Sequence, residues 1–157
     1  MNLEKYQQYS RIARGLEKAD LVLKDARIVN VFTEEIIRGD IAIQDGIIAG
    51  IGSFHGKEER DLAGRYVCPG FIDSHLHLES TLVTPAELVT AASRHGTTTF
   101  IVDPHESANV SGLAGVDYIL DQTENVKANV YVMMPSCVPA TSIDDNGCTL
   151  TAEDMVP

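Results

Sequence analysis

Two histidines separated by one residue carry the clearest chemical signal in this sequence. His75 and His77 lie in the segment Cys68-Pro-Gly-Phe-Ile-Asp-Ser-His-Leu-His-Leu-Glu-Ser80. The segment is typical of a single buried β-strand, on which side chains alternate between faces with period two, so Asp73 and Glu79 share the face of the two histidines. Neutral imidazole is the commonest metal ligand, and a nearby carboxylate fixes its tautomer or joins the site. The spacing therefore predicts that the two histidines bind one divalent ion.

The first part of the chain is predicted to form a helix followed by short strands. Apolar residues recur at three- to four-residue spacing over residues 3–18, which favours a helix. Apolar and β-branched runs predict strands at 19–23 and 26–32, joined by a turn at Lys24-Asp25. Asp45-Gly46 lies between two further apolar runs and is the usual signal of a tight hairpin.

From residue 71 the pattern changes to alternating strands and helices. The predicted strands are 71–77, 97–103 and 128–134, and the predicted helices are 84–96 and 110–125. Thr84, Pro85 and Glu87 are typical of a helix start with a capping box. Strands that alternate with helices predict parallel βαβ units.

A second group of polar residues, Asp103-Pro-His-Glu106, directly follows the second of these strands. In a barrel of parallel strands the carboxyl ends open onto the active site. His105 and Glu106 would then lie at the same rim as His75 and His77. The alternative is an ordinary loop whose charged residues face solvent.

Several motifs in order resemble one enzyme family. The stretch from Asp61 to the two histidines resembles the first barrel strand of the amidohydrolase superfamily and the approach to it. Within that superfamily the combination resembles the bacterial adenine deaminases. The motifs are His75-Leu-His-Leu-Glu-Ser-Thr81, Gly96-Thr-Thr-Thr99, Asp103-Pro-His-Glu-Ser-Ala-Asn109 and Met134-Pro-Ser-Cys-Val-Pro-Ala140.

The resemblance implies an α/β fold of a particular kind. It consists of the first three strands of an incomplete metal-dependent hydrolase (β/α)8 barrel, preceded by an N-terminal helix and part of a small β-sandwich domain. The expected boundaries are 1–19 for the helix, 20–68 for the partial β-domain and 69–157 for the truncated barrel. A complete barrel needs roughly 250 residues, so we expect the remaining ligands to lie beyond residue 157.

The resemblance also implies a reaction, the hydrolytic deamination of adenine to hypoxanthine and ammonia. The centre would hold two divalent ions, manganese or iron, with zinc as a further option. His75 and His77 would bind metal, with Glu79 and Asp73 beside them. His105 and Glu106 would line the pocket or bind an additional ion. We expect this chain alone to bind metal weakly and not to turn over adenine.

Two other interpretations share the same two histidines. The chain could belong to an amidohydrolase that acts on cyclic amides or N-acetyl groups. It could instead be a non-catalytic metal-binding fragment. Substrate screening separates the first from a deaminase, and a stable, soluble monomer of this length would favour the second.

The composition of the chain disfavours some classes of binding partner. The 157 residues carry a net charge of -11, which disfavours nucleic acid and anionic membranes as partners. No apolar run approaches the roughly 20 residues that span a bilayer, and the three cysteines without a secretion signal favour free thiols. We therefore expect a cytoplasmic protein, and the resemblance implies adenine as its small-molecule partner and a homo-oligomer at full length.

Overall fold

The structure, a computed structural model, describes residues 2–155 as two compact units. The first unit extends to Pro69 and the second begins at Gly70. Both units combine helices with β-sheet, so the chain is mixed α/β, as predicted. Within the described residues, no helix is long and apolar enough to cross a membrane.

The first unit begins with α1 (Leu3–Ala13), which is shorter than predicted. The Asn2 side chain accepts a hydrogen bond from the Lys5 amide and caps the start of the helix. At the other end Gly15 has φ +70°, and the amides of Gly15 and Leu16 donate to Ile12 and Arg11. This is the Schellman arrangement, in which a left-handed glycine ends a helix, so the predicted extension to residue 18 is wrong.

A five-stranded sheet follows α1. Its strands are β1 (Ala19–Asn30), β2 (Glu35–Gln44), β3 (Ile47–Gly52), β4 (Gly56–Asp61) and β5 (Tyr66–Val67). The order is β3-β2-β1-β4, and β5 also pairs with β1. The β2–β3 hairpin confirms the predicted turn, because Asp45 and Gly46 both have positive φ. β4 was not predicted, since its sequence is almost entirely charged or small.

The predicted turn at Lys24-Asp25 is wrong, because β1 runs through these residues as one strand. The register with β2 shifts between Leu23 and Ala26, and Asp25 has φ 48°. This bulge is held from β2 by Asp40, whose carboxylate accepts hydrogen bonds from Lys24 Nζ and the Asp25 amide. A side chain on the neighbouring strand β2 therefore stabilises a bulge where the sequence predicted a turn.

The second unit contains a parallel sheet with helices between its strands, which confirms the predicted βαβ pattern. The strands are β6 (Phe71–Leu76), β7 (Thr97–Val102) and β8 (Asn129–Val132), in that order across the sheet. The helices are α2 (Pro85–Ser93), α3 (His105–Ser111) and α4 (Leu113–Thr123). The core between them is formed by Leu78, Val89, Phe100, Val102 and Ile119.

Three predictions in this unit need correction. β6 is not a buried strand, because it lies at the edge of the described sheet and pairs only with β7 there. The single helix predicted at 110–125 is two helices, because α3 already begins at His105 and Gly112 at φ 61° separates it from α4. Thr84 begins α2 in extended conformation, but within the described chain its side chain makes no capping hydrogen bond.

Candidate metal centre

The site forms where two parallel strands end side by side. β6 and β7 run in the same direction, so their carboxyl ends meet at one edge of the sheet. The Asp103 amide donates to the Leu76 carbonyl at 2.9 Å, which holds the two strand ends in register. This pairing brings the residues that follow β6 beside those that follow β7.

The two histidines converge on one point. His75 Nε2 and His77 Nε2 are 3.1 Å apart, and the rings meet edge to face at 78° with centroids 4.9 Å apart. The strand ends at Leu76, so His77 lies just beyond it and Glu79 lies in a single 3-10 turn, Glu79–Thr81. The prediction that one continuous strand carries Glu79 is therefore wrong.

Two carboxylates lie on the other side of His77. Glu106 Oε2 is 3.0 Å from His77 Nδ1, and Glu106 Oε1 accepts a hydrogen bond from Ser80 Oγ at 3.1 Å. Glu79 Oε1 accepts hydrogen bonds from the backbone amides of Glu106 and Ser107, at 3.0 and 3.3 Å. The 3-10 turn after β6 and the start of α3 are thus joined through these side chains.

Buried polar atoms without partners mark the site as incomplete by itself. His77 Nδ1, Glu79 Oε2 and Asp103 Oδ1 are buried and have no hydrogen-bond partner within residues 2–155; the short approach of His77 Nδ1 to Glu106 lacks hydrogen-bond geometry. A buried polar group without a partner costs about 1–3 kcal/mol. Such atoms are rare in native structures unless an ion, water or ligand satisfies them.

The donor atoms fit a divalent cation. They form two groups, His75 with His77 and Asp103, and His77 with Glu79 and Glu106. In each group the ligand atoms lie within 4.8 Å of one another, and His77 belongs to both. Imidazole nitrogen together with carboxylate oxygen suits zinc and other divalent transition metals. The residues present therefore match a site for one or two such ions.

The two glutamates have opposite pKa shifts. Burial raises the pKa of Glu79 above its ordinary value, and the neighbouring Glu106 carboxylate raises it further. Burial also acts to raise the pKa of Glu106, but the neighbouring Glu79 carboxyl, the hydrogen bond from Ser80 and the charge of His77 outweigh it, so that this pKa is lowered. Glu106 is therefore the readily ionised member of the pair, and Glu79 the member that more readily holds a proton.

Not every residue singled out in the sequence joins these groups. The structure brings His75, His77, Glu79 and Glu106 together, but Asp73 and His105 belong to neither donor group. Asp73 Oδ1 instead accepts a hydrogen bond from the His75 amide at 3.3 Å. Sequence reasoning missed Asp103 as a candidate ligand. Its position immediately after β7 was the available signal.

A cavity of about 600 Å³ opens beside the two glutamates. Glu79, Ser80 and Glu106 form one wall, and α3 and α4 supply the remainder, including Val110 and Tyr118. The exposed Glu106 carboxylate therefore has access to solvent through this cavity.

The chain belongs to the amidohydrolase family, whose family model matches residues 66–155, more than half of the chain. The match covers the second unit with both donor groups. It also includes β5, the short strand at the end of the first unit.

Several proteins with similar sequences are adenine deaminases. An adenine deaminase from Desulfitobacterium hafniense (strain Y51) is 56% identical over 157 residues, 100% of this chain and 28% of the relative. An adenine deaminase from Clostridium acetobutylicum is 54% identical over 91% of this chain and 25% of its own length. A third, from Bacillus pumilus, is 44% identical over 100% of this chain and 27% of its own length. The chain thus spans about a quarter of the length of the relatives that it matches.

One solved structure shares the fold. It is the N-acyl-D-glutamate deacylase from Bordetella bronchiseptica, solved with zinc and a phosphonate inhibitor that mimics the tetrahedral intermediate. The TM-score is 0.59 at 22% sequence identity, and the match covers 88% of this chain and 34% of the deacylase.

Proposed function

We propose that the protein to which this chain contributes deaminates adenine hydrolytically, producing hypoxanthine and ammonia at a binuclear divalent centre. The observation that carries the proposal is the pair of donor groups that share His77 at the carboxyl edge of β6 and β7. The relatives at 44–56% identity support adenine as the substrate. Because the chain spans only part of these relatives, the activity is assigned to the whole protein.

The metal ligands that we propose from this chain are His75 and His77, joined by a carboxylate from Asp103 or Glu106. Manganese or iron is the proposed pair of ions, and zinc suits the same nitrogen and oxygen donors. A bound divalent ion lowers the pKa of water and supplies a nucleophile near neutral pH. The two imidazoles would hold that ion at the carboxyl edge of β6 and β7.

Glu106 is the residue of this chain best placed to move a proton. Deamination adds water at C6 of adenine and releases ammonia, so a proton must pass from the attacking water to the leaving nitrogen. Glu106 has a lowered pKa, contacts His77 at 3.0 Å and borders the open cavity. It can therefore accept a proton in its ionised form. For Asp73 and His105 we propose supporting roles at the rim, since neither joins a donor group.

The proposed fold rests on the same similarity to amidohydrolases. β6, β7 and β8 lie side by side in chain order with helices between them, as the first strands of a (β/α)8 barrel do. We propose that residues 69–157 begin such a barrel. The segment 1–19, which contains α1, and the strands of 20–68 would precede it, the strands forming part of a small β-sandwich domain.

The proposal is tested with the full-length protein, stripped of metal and reloaded separately with Mn²⁺, Fe²⁺ or Zn²⁺. Adenine loss, hypoxanthine formation and ammonia release are measured together, beside a panel of cyclic amides and N-acetyl amino acids. We expect stoichiometric conversion of adenine that requires metal. Hydrolysis of an amide with no ammonia from adenine would assign a different substrate class.

Two histidine variants make this assay specific to the site. His77→Ala removes the ligand that both donor groups share and should abolish turnover. His95→Ala changes an exposed histidine outside both groups and should retain it. Equal loss in both variants would mean that the effect is not due to the proposed centre.

A further inference from the structure

We infer that Glu79 is a positioning residue, which fixes the start of α3 so that Glu106 faces His77. The inference deepens the proposed function, because it gives one of the two carboxylates a task other than metal binding or proton transfer. It is carried by hydrogen bonds and burial within the second unit.

The start of α3 needs a partner from elsewhere in the chain. The first backbone amides of any helix have no acceptor within the helix and must be satisfied from outside. Pro104 precedes α3, and in the described structure it supplies no side-chain cap. Glu79, 27 and 28 residues earlier, accepts the amides of Glu106 and Ser107 with one oxygen. A carboxylate at this end is also favoured by the helix dipole.

Ser80 completes the connection from the same turn. Its hydroxyl donates to Glu106 Oε1 at 3.1 Å, while Glu79 holds the backbone amide of Glu106. Adjacent residues therefore fix both the backbone and the side chain of Glu106. Oε2 of Glu106 is left directed to His77 Nδ1 at 3.0 Å.

The turn that carries Glu79 is itself firmly anchored. Leu78, directly before it, is fully buried in the core with Val89 and Phe100. Thr81 Oγ1 donates to the Leu78 carbonyl and closes the turn. Glu79 therefore fixes the start of α3 relative to the end of β6.

Three substitutions of Glu79 separate the effect of the position of its carboxylate from the effect of its charge. Glu79→Gln keeps an oxygen that can accept both amides but removes the charge. Glu79→Asp keeps the charge but withdraws the carboxylate by one methylene, and Glu79→Ala removes both. Glu87→Ala and Glu87→Gln are the matched controls, because Glu87 is an exposed glutamate in the first turn of α2.

The first readout is hydrogen exchange at the amides of Glu106 and Ser107 in the full-length protein, with α4 as an internal reference. Loss of a helix cap exposes the first turn, so exchange should accelerate about tenfold in Glu79→Asp and Glu79→Ala. Glu79→Gln should stay within about threefold of the unchanged protein. This readout does not depend on the substrate, so it stands whether or not adenine is deaminated.

The second readout is Mn²⁺ affinity of the same proteins. A positioning role predicts that Glu79→Gln retains affinity within about threefold and that Glu79→Asp loses about tenfold or more, the range for outer-shell changes. The opposite order, with Gln impaired and Asp unimpaired, would make Glu79 a direct ligand and overturn the inference. Unchanged exchange at Glu106 in Glu79→Asp would overturn it as well.

Discussion

Each unit of this chain contains buried carboxylate oxygens, but within residues 2–155 only the second unit has such oxygens without a hydrogen-bond partner. Asp40, 8% exposed, accepts hydrogen bonds from Lys24 and from the amides of Asp25 and Phe54. Glu79 and Asp103 each keep a buried oxygen without a partner within the described chain. A carboxylate with hydrogen-bond partners stabilises a fold, whereas the unpaired oxygen of Asp103, which lies close to His75 and His77, is suited to binding a metal ion. The buried carboxylate of the first unit therefore has a structural role, whereas the second unit carries the donor atoms suited to a metal ion.

The largest expected effect comes from removing the shared imidazole. His77→Ala should lower divalent metal affinity by about 1,000-fold, above the 10- to 100-fold range for outer-shell groups, because both donor groups include His77. The metal-free protein should lose less than about 1 kcal/mol of unfolding free energy, since an unsatisfied buried atom is removed with the ring. Competition with a chelating indicator measures the affinity. An affinity loss below tenfold would contradict the shared-ligand geometry.

The next largest effect is expected in the first unit, where a substitution should change stability and not metal affinity. Asp40→Ala should lower stability by about 2–4 kcal/mol, because Lys24 and two backbone amides lose their common acceptor. Metal affinity should not change. Hydrogen exchange of the β1 and β2 amides in the full-length protein reports this local loss. Glu35→Ala, at an exposed position of β2, is the control and should alter exchange little.

Acid should lower the stability of the first unit at Asp40 as well, by less than the Asp40→Ala substitution. Burial alone would raise the pKa of Asp40, but the hydrogen bonds from Lys24, Phe54 and Asp25 outweigh it and hold the pKa below the ordinary 3.8. The stabilisation is therefore complete above pH 3.8 and is lost as pH falls through the lower, folded-state pKa. The stability difference between the unchanged protein and Asp40→Asn should shrink below pH 3.8. A difference that grows in acid would contradict the assignment.

The smallest expected effect concerns Asp73, which the sequence placed beside the histidines. Its carboxylate contacts the His75 amide and belongs to neither donor group. Asp73→Asn keeps an oxygen that can accept this hydrogen bond, so metal affinity should fall by less than about tenfold. The same titration used for His77→Ala measures it. A loss as large as that of His77→Ala would place Asp73 among the ligands.

Local patterns predicted much of this architecture, and several of the misses depend on contacts between residues that are distant in sequence. The His75–His77 pair, the hairpin at Asp45-Gly46 and the parallel strands followed from spacing and turn chemistry. The β1 bulge and the capping of α3 depend on Asp40 and Glu79, side chains at least 15 residues away in sequence. No local periodicity encodes such contacts. Asp103 was missed because its role depends on how β6 and β7 pair.

The most direct test of the metal assignment is anomalous diffraction from crystals of the full-length protein loaded with Mn²⁺ or Zn²⁺. The account predicts an anomalous peak about 2.0–2.2 Å from a ring nitrogen of His75 and of His77, with carboxylate oxygen from Asp103 or Glu106 completing it. A fully occupied peak elsewhere, with both imidazoles bound only to protein groups or water, would contradict it.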